Sequence, residues 1–166
     1  MKKFALSVAL AVSILFLPSA SQAYLLDGVQ QFNGHYYKVF DFGMTWDDAK
    51  IFCENLGGHL VTITSQQEQN FVNRMIADYG NKKYYWFGAS KDSFKNWNWV
   101  NGEQINYKNW QINQPDNKNG HENAIMTYKD NFGWNDLNSD GYSGGMIPDF
   151  GLICEWDSPN SVKVRY

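Results

Sequence analysis

The segment QPDNKNGHEN concentrates oxygen-bearing side chains in a stretch too irregular for a helix or a strand. It supplies an amide at Gln114 and carboxylates at Asp116 and Glu122. The tripeptide WND, further along the chain, adds the amide of Asn135 and the carboxylate of Asp136. A hard cation such as Ca²⁺ takes about six to eight oxygen ligands from carboxylates, amides, carbonyls and water. These side chains therefore predict a cation site, although a polar loop of this composition is by itself more often simply solvated.

Pro115 gives the segment a further property, because an X-Pro bond adopts the cis form at a cost of only about 0.5 to 1 kcal/mol. A cis bond between Gln114 and Pro115 would turn the side chains on either side of it toward one ion. His121 lies in the same segment and is a candidate contact for a bound ligand, with an ordinary solvated histidine as the alternative.

The chain begins MKKFALSVALAVSILFLPSASQA, in which two lysines precede an apolar run, Pro18 and small residues up to Ala23. This pattern predicts a secretory signal peptide over residues 1–23, followed by a single domain over 24–166. The run is shorter than the roughly 18 apolar residues of a membrane helix, so an uncleaved anchor is the weaker alternative. We therefore expect a secreted or periplasmic protein without a membrane span.

The net charge bears on the class of partner, and the cysteine content bears on how the fold is stabilised. The net charge is −3 and becomes more negative if the two leader lysines are removed, which argues against a nucleic-acid partner. Cys53 and Cys154 are the two cysteines, and in a secreted chain an even number favours a disulfide over unlinked thiols. A bond closing a loop of about 100 residues would stabilise the fold by roughly 4 to 5 kcal/mol in the chain-entropy model.

The first half of the domain alternates between strand and helix patterns. HYYKVFDF, at residues 35–42, and HLVTI, at 59–63, are typical of strands. Thr45 and Ser65 each begin a capping motif, and helical spacing of apolar residues follows each one as far as Gly57 and Gly80. Two amphipathic helices are therefore predicted.

The second half is rich in loops. We predict strands at 84–89, around Trp97 and Trp99, in FGWND and at 151–156, with a long polar loop between about 101 and 130. Four apolar residues are expected to anchor this loop: Trp110, Ile112, Ile125 and Met126. The seven tryptophans are interpreted as core packing of a β-rich domain.

The segments HYYKVF, TWDDAKIFCENLGGHLVTI, SQQEQNFV, WFGAS, NWNWVNG, NW, QPDN, ENA, WND and ICEW occur in this order. Their order and their separations along the chain are similar to those in the C-type lectin domain, which the chain resembles over nearly all of residues 32–156. The resemblance implies an α+β, C-type lectin-like double-loop fold with two helices, short antiparallel sheets and a long calcium-binding loop. It also implies a disulfide from the first helix to the last strand, Cys53 to Cys154.

The resemblance also assigns a site. It places the family's Ca²⁺ ligands on the five residues Gln114, Asp116, Glu122, Asn135 and Asp136. The first four of these would also hydrogen-bond two adjacent sugar hydroxyls, and His121 is the further candidate. The order Gln-Pro-Asp resembles the galactose-selecting version of the site. Galactose-terminated glycans, with host or cell-surface glycoproteins as their carriers, are the partners implied.

The chain departs from the family's pattern in four ways. Ala124 and Ser139 stand where a second disulfide is usual, which makes the loop more dependent on calcium. Asn117 stands where galactose binders commonly have an aromatic, and Trp134 is interpreted as a core residue rather than its replacement. Lys91 and Lys95 replace acids of the auxiliary calcium site, so that site is not predicted. An insertion of about seven residues spans Asn138–Pro148.

This insertion overlaps DLNSDG, which matches the first half of an EF-hand loop but has Ile147 in place of the final glutamate. Asp136 is therefore assigned to WND rather than to an EF-hand. The insertion could still bind an extra ion or cover one edge of the sugar site.

Two other classes of function are alternatives to a lectin. An enzyme is not predicted, because His35, His59 and His121 lie far apart in sequence, no nucleophile motif stands out, and His59 fits a structural strand position. The stronger rival is a C-type-lectin-like adhesion or interaction module that binds a protein surface, ice or a cell rather than a sugar, since a fold does not determine a function.

Overall fold

The computed structural model describes residues 27–141 and 145–161, without the side chain of residue 160. The predicted signal peptide lies outside these residues, and so does the middle of the insertion, at 142–144. No helix in the described part of the chain is long and apolar enough to cross a membrane.

Two α-helices and eight strands form the described fold. The helices are α1 (Trp46–Asn55) and α2 (Gln66–Tyr79). The strands are β1 (Gln30–Phe32), β2 (His35–Phe40), β3 (His59–Leu60), β4 (Tyr84–Lys91), β5 (Trp97–Trp99), β6 (Ala124–Tyr128), β7 (Trp134–Leu137) and β8 (Phe150–Trp156).

The strands form one mixed sheet in the order β1-β2-β8-β4-β6-β7, with β3 paired to β8 and β5 paired to β4. The pairing of β4 with β8 is parallel, and the other pairings are antiparallel. Strands β6 and β7 form a hairpin at one edge of the sheet, and β1 lies at the other edge. The expected α+β fold with two helices is confirmed.

Local sequence sets the limits of both helices. The Thr45 hydroxyl accepts the Asp48 N–H at 3.1 Å and begins α1, and the Ser65 hydroxyl accepts the Glu68 N–H at 3.2 Å and begins α2. Gly57 follows α1 with a φ of 82°, a left-handed conformation that glycine adopts without steric cost. Both predicted N-terminal caps are therefore confirmed.

The helices pack on opposite faces of the sheet, and β4 divides the two cores. Trp86 lies in the core that contains the buried face of α1, whereas Tyr85 and Phe87 lie in the core that contains the buried residues of α2. Successive side chains of a strand point to opposite faces, which explains this alternation. The disulfide between Cys53 and Cys154 is present and joins α1 to β8, as predicted.

The prediction that tryptophans pack in the core is confirmed for five of them: Trp46, Trp86, Trp99, Trp134 and Trp156. Four of these also donate their ring N–H to a protein acceptor, for example Trp134 to the side-chain oxygen of Gln69 at 2.7 Å. Burial therefore leaves no cost of an unpaired indole N–H at these four positions.

Four element predictions require correction, the first being that β6 (Ala124–Tyr128) lies inside the predicted polar loop of about residues 101–130. Strand β2 ends at Phe40 rather than Phe42, and β3 ends at Leu60 rather than Ile63. Ile112 is not an anchor, because its side chain is 91% exposed. The Gln114 N–H donates to the Gln111 carbonyl at 3.0 Å, so Ile112 lies in the middle of a tight turn and points to solvent.

Candidate functional site

The β6–β7 hairpin and the polar loop before it bring three carboxylates together. One oxygen each from Asp116, Glu122 and Asp136 lies within 4.8 Å of the other two. Glu122 and Asp136 are buried, whereas Asp116 is exposed at the mouth of the cluster. The cluster therefore combines a rigid base with one ligand-accessible side.

Asp136 is fixed by its strand and by donors from the loop. It pairs with Ile125 in the hairpin, and its side chain is fully buried. One oxygen accepts the Asp116 N–H at 3.0 Å, and the other accepts the Asn117 N–H at 3.1 Å. The loop is thus folded around this one carboxylate.

Glu122 organises the turn between the loop and β6. Its Oε2 accepts the Lys118 N–H at 2.8 Å, while its own N–H donates to the Asn117 side-chain oxygen at 3.2 Å. Asn117 and Asn119 have φ values of 47° and 59°. Asparagine tolerates this left-handed region better than most residues, which gives the asparagines of the segment a structural role.

The two amide residues complete the group. The Gln114–Pro115 bond is cis, as the sequence suggested, and the Gln114 side-chain oxygen accepts the Asp116 N–H at 3.1 Å. The Asn135 amide donates to the Asp136 carbonyl. Gln114 and Asn135 line a cavity of about 250 Å³ together with Asp116 and Glu122.

The apolar wall of the same cavity includes Tyr128 at the end of β6 and Met146 from the inserted segment. Neither residue was singled out by its sequence pattern as part of the site. Tyr128 could be recognised only once the register of β6 against β7 placed it beside the loop. Trp134, in contrast, is fully buried beneath the loop, so its interpretation as a core residue is confirmed.

Lys91, which stands where the family has an acid, adds a positive charge to the site. Its ammonium donates to the Glu122 carbonyl at 2.7 Å and lies 3.3 Å from an Asp136 oxygen. It also lies 4.6 Å from the centre of the Trp97 ring. An ammonium therefore contacts the inner side of the carboxylate cluster.

His121 does not line the cavity that contains the four oxygen-bearing side chains. It is exposed and lines a neighbouring depression together with Lys95 and Asp92. A larger cavity, of about 640 Å³, lies at Tyr84 and Tyr128, and none of the predicted metal ligands lines it. We place the chemistry in the smaller cavity, because Asp116 and Glu122 line it and their oxygens converge with that of the buried Asp136.

Hydrogen bonds close the β6–β7 hairpin near Ala124 and Ser139, the two positions where a second disulfide is usual in the family. The Asn123 side-chain oxygen accepts the Ser139 N–H at 2.8 Å, and its amide donates to the Ser139 hydroxyl at 3.4 Å. The Asn123 N–H donates to the Leu137 carbonyl at 3.0 Å. These bonds hold the end of the loop without a covalent link.

The described part of the half EF-hand forms a local turn at residues 138–141. The Asp140 N–H donates to the Asn138 side-chain oxygen at 3.2 Å, and the Gly141 N–H to the Asn138 carbonyl at 2.9 Å. Asp136 groups with Asp116 and Glu122, whereas Asp140 belongs to neither group of potential metal ligands among the described residues.

The donor set suits a hard divalent cation. Three carboxylates and two amides supply oxygen ligands only, which is the chemistry that Ca²⁺ prefers. Negative charges within 4.8 Å of one another repel, and a cation at their centre would offset that repulsion. The five residues therefore fit the ion that the family resemblance implies.

Comparisons with known proteins agree with this fold. The lectin C-type domain family model matches residues 42–145. The bovine versican core protein is 36% identical over 113 residues, which are 66% of this chain but only 3% of versican. C-type lectin lectoxin-Lio1 of Erythrolamprus poecilogyrus is 30% identical over 143 residues, which cover 83% of this chain and 88% of that protein.

Among solved structures, the human scavenger receptor C-type lectin carbohydrate-recognition domain superposes with a TM-score of 0.65 at 27% identity. The match covers 78% of this chain and 96% of that domain. The family model, the relatives and the superposed fold give the same assignment. The chain belongs to the C-type lectin domain family.

Proposed function

We propose that this protein is a secreted, calcium-dependent lectin that binds galactose-type terminal sugars. The observation that carries the proposal is the convergence of Asp116, Glu122 and Asp136 beside the amides of Gln114 and Asn135. The predicted absence of enzymatic activity is confirmed, because the C-type lectin domain family is non-enzymatic.

In the proposed complex, the five oxygen-bearing side chains hold Ca²⁺ and leave positions open for two adjacent sugar hydroxyls. Carboxylates accept hydrogen bonds from these hydroxyls, while the amide N–H groups of Gln114 and Asn135 donate to them. The Gln114 oxygen already accepts one backbone N–H, and its second lone pair remains available for the ion. Four of the side chains would thus bind both the ion and the sugar, namely Gln114, Asp116, Glu122 and Asn135, while Asp136 would bind the ion.

The preference for galactose rests on the order of amide and acid around Pro115. Exchanging Gln114 and Asp116 would exchange the donor and acceptor sides of the hydroxyl pair. A sugar with the wrong hydroxyl geometry would leave a polar group unpaired, at a cost of about 1 to 3 kcal/mol. We therefore propose that the positions of hydrogen-bond donors and acceptors at Gln114 and Asp116 determine which sugar binds.

The apolar face of the sugar also needs a contact, and Asn117 cannot supply an aromatic ring. Tyr128 and Met146 line the wall of the cavity and are the candidates for that contact. Support for a sugar ligand also comes from the human scavenger receptor domain, which is described as a carbohydrate-recognition domain.

The rival function is a C-type-lectin-like module that binds a protein surface without sugar. One observation favours it as the second candidate. Backbone N–H groups and the Lys91 ammonium already satisfy much of the Asp136 carboxylate, so the loop can keep its shape without an ion. A loop of this kind could present a surface to a protein partner.

A glycan array probed with and without Ca²⁺ tests the proposal. We expect binding to galactose-terminated glycans in calcium, release by EDTA, and no binding by Asp116→Asn. Asp78→Asn is the matched control, because Asp78 is an exposed carboxylate in the last turn of α2.

Unchanged calcium-dependent binding by Asp116→Asn would refute the assigned site. If no glycan binds while calcium still raises the melting temperature, the lectin proposal fails and the protein-binding module is favoured. Binding to mannose-type but not galactose-type glycans would refute only the sugar preference.

A further inference from the structure

A second group of ionisable side chains lies at the C-terminal end of β8, away from the carboxylate cluster. Glu155 lies near the end of this strand, and Asp157 follows two residues later, which places both side chains on one side of the chain. His35 begins β2, and His59 begins β3 opposite Glu155. Pairing of β2 and β3 with β8 thus brings together residues that are far apart in sequence.

The distances in this group are those of a set of potential ligands. The His35 Nδ1 atom lies 2.7 Å from Glu155 Oε1 and 3.7 Å from Asp157 Oδ1. The His59 Nε2 atom lies 3.5 Å from the same Asp157 oxygen. One atom each of His35, Glu155 and Asp157 lies within 4.8 Å of the others.

The backbone determines how His59 presents its second nitrogen. His59 Nδ1 lies 2.9 Å from the Leu60 carbonyl oxygen, so this nitrogen carries a proton and donates it. In a neutral ring, Nε2 then presents a lone pair toward the Asp157 carboxylate. Two acceptors that face each other require a proton or a cation between them. Metal-binding histidines commonly donate their other N–H to a backbone carbonyl in this way.

Glu155 is a buried carboxylate near a second buried carboxylate, Glu68, so a positive charge beside it would be stabilising. Its side chain is 1% exposed, and Oε2 accepts the Thr62 N–H at 2.9 Å and the Thr62 hydroxyl at 3.2 Å. The Tyr37 hydroxyl donates to the neighbouring buried carboxylate of Glu68 at 2.8 Å and lies 3.4 Å from Glu155 Oε1. Burial raises the pKa of Glu155, while His59 and the Thr62 N–H act in the opposite direction.

We propose that His35, His59, Glu155 and Asp157 form a binding site for a divalent transition metal of the zinc type. Two imidazole nitrogens and two carboxylate oxygens are a donor set typical of Zn²⁺, whereas Ca²⁺ takes oxygen ligands. The site is separate from the calcium loop and does not depend on the proposed lectin function.

His35, Glu155 and Asp157 already converge and require only small movements, whereas His59 is outside this group and must rotate toward the metal through Nε2. Bonds of about 2.0 to 2.1 Å in a tetrahedral site place neighbouring ligand atoms about 3.3 Å apart, close to the observed 3.5 and 3.7 Å. The 2.7 Å pair of His35 and Glu155 must open by roughly 0.6 Å as the metal replaces the proton between them. The side chains of His35 and Asp157 are 38% and 74% exposed, so both have room to move.

Titration with ZnCl₂ alone tests this site, on the chain without a polyhistidine tag and after dialysis against a chelator. We expect one Zn²⁺ per chain by calorimetry and by elemental analysis, and we expect Co²⁺ to give the visible absorption of a tetrahedral site. His35→Ala and the exposed Asp157→Asn should each weaken binding at least tenfold. His121→Ala is the matched control, and Asp116→Asn controls for the calcium loop.

Several results would overturn the proposal. They are the absence of Zn²⁺ binding by the wild-type chain, equal affinity in Asp157→Asn, and loss of binding in Asp116→Asn instead. Displacement of Zn²⁺ by millimolar Ca²⁺ would show an oxygen-type site and would also refute it. If His35→Ala fails to fold, Asp157→Asn decides the result, because its side chain is largely exposed.

Discussion

The disulfide between Cys53 and Cys154 allows a quantitative test of how the scaffold and the loop contribute to stability. The bond links residues 101 positions apart, and the chain-entropy model gives about 4.7 kcal/mol for a loop of that length. Both sulfurs are fully buried, so replacing both residues with alanine also removes packing in the α1 core. Relaxation of the native state reduces the effect, and we expect Cys53→Ala/Cys154→Ala to lower the free energy of unfolding by about 4 kcal/mol.

Urea denaturation followed by tryptophan fluorescence measures this loss. The m-value should rise, because an unfolded chain without the cross-link exposes more surface. The reduced wild-type protein is the matched control, since it loses the cross-link but keeps both sulfurs. The difference between the reduced protein and the double alanine variant then gives the contribution of packing alone.

A loss below about 1 kcal/mol would refute the loop-closure reasoning. A second outcome concerns the site, because the bond lies between α1 and β8 while the carboxylates lie at the β6–β7 hairpin. The folded double variant should bind Ca²⁺ with affinity within threefold of the wild type. A larger change would show that the loop depends on this part of the scaffold.

Asn123→Ala removes the hydrogen bonds to Ser139 and should cost about 1 to 3 kcal/mol of unfolding free energy, which urea denaturation in EDTA measures. Lys91→Met removes the ammonium beside Asp136, so Ca²⁺ affinity should rise in calorimetry while stability without calcium falls; lower affinity would contradict this electrostatic argument. Acidification from about pH 7 to about pH 4 should release both Ca²⁺ and sugar, because the coordinating carboxylates must be ionised; retention of labelled galactose in acid would contradict this.

Local interactions explain why much of the fold was predictable. Thr45 and Ser65 each bond to a backbone N–H three residues away, so the sequence marks both helix starts without knowledge of the tertiary fold. The disulfide followed from the cysteine content and the family resemblance. The family resemblance assigned the five oxygen-bearing residues because they lie in two short segments with characteristic residue types, and the structure brings the three carboxylates among them together.

Other features depend on strand register, which the sequence does not display directly. Lys91 was noted as a missing acid, but its ammonium contacts Asp136 because β4 pairs with β6 and β6 pairs with β7, which carries Asp136. His35 and Glu155 are 120 residues apart and meet through the pairing of β2 with β8. Ile112 was expected to be buried because it is apolar, and the turn that exposes it is set by one backbone hydrogen bond.

The order of strands in the sheet has a consequence for how the domain can be presented. Strands β1 and β2 form one edge with β8 beside them, so the two described ends of the chain emerge close together. The hairpin that carries Asn135 and Asp136 lies at the opposite edge. Tethering by either end to a bead or particle would therefore leave the carboxylate loops facing outward, and many weak contacts could then act at once on a densely glycosylated surface.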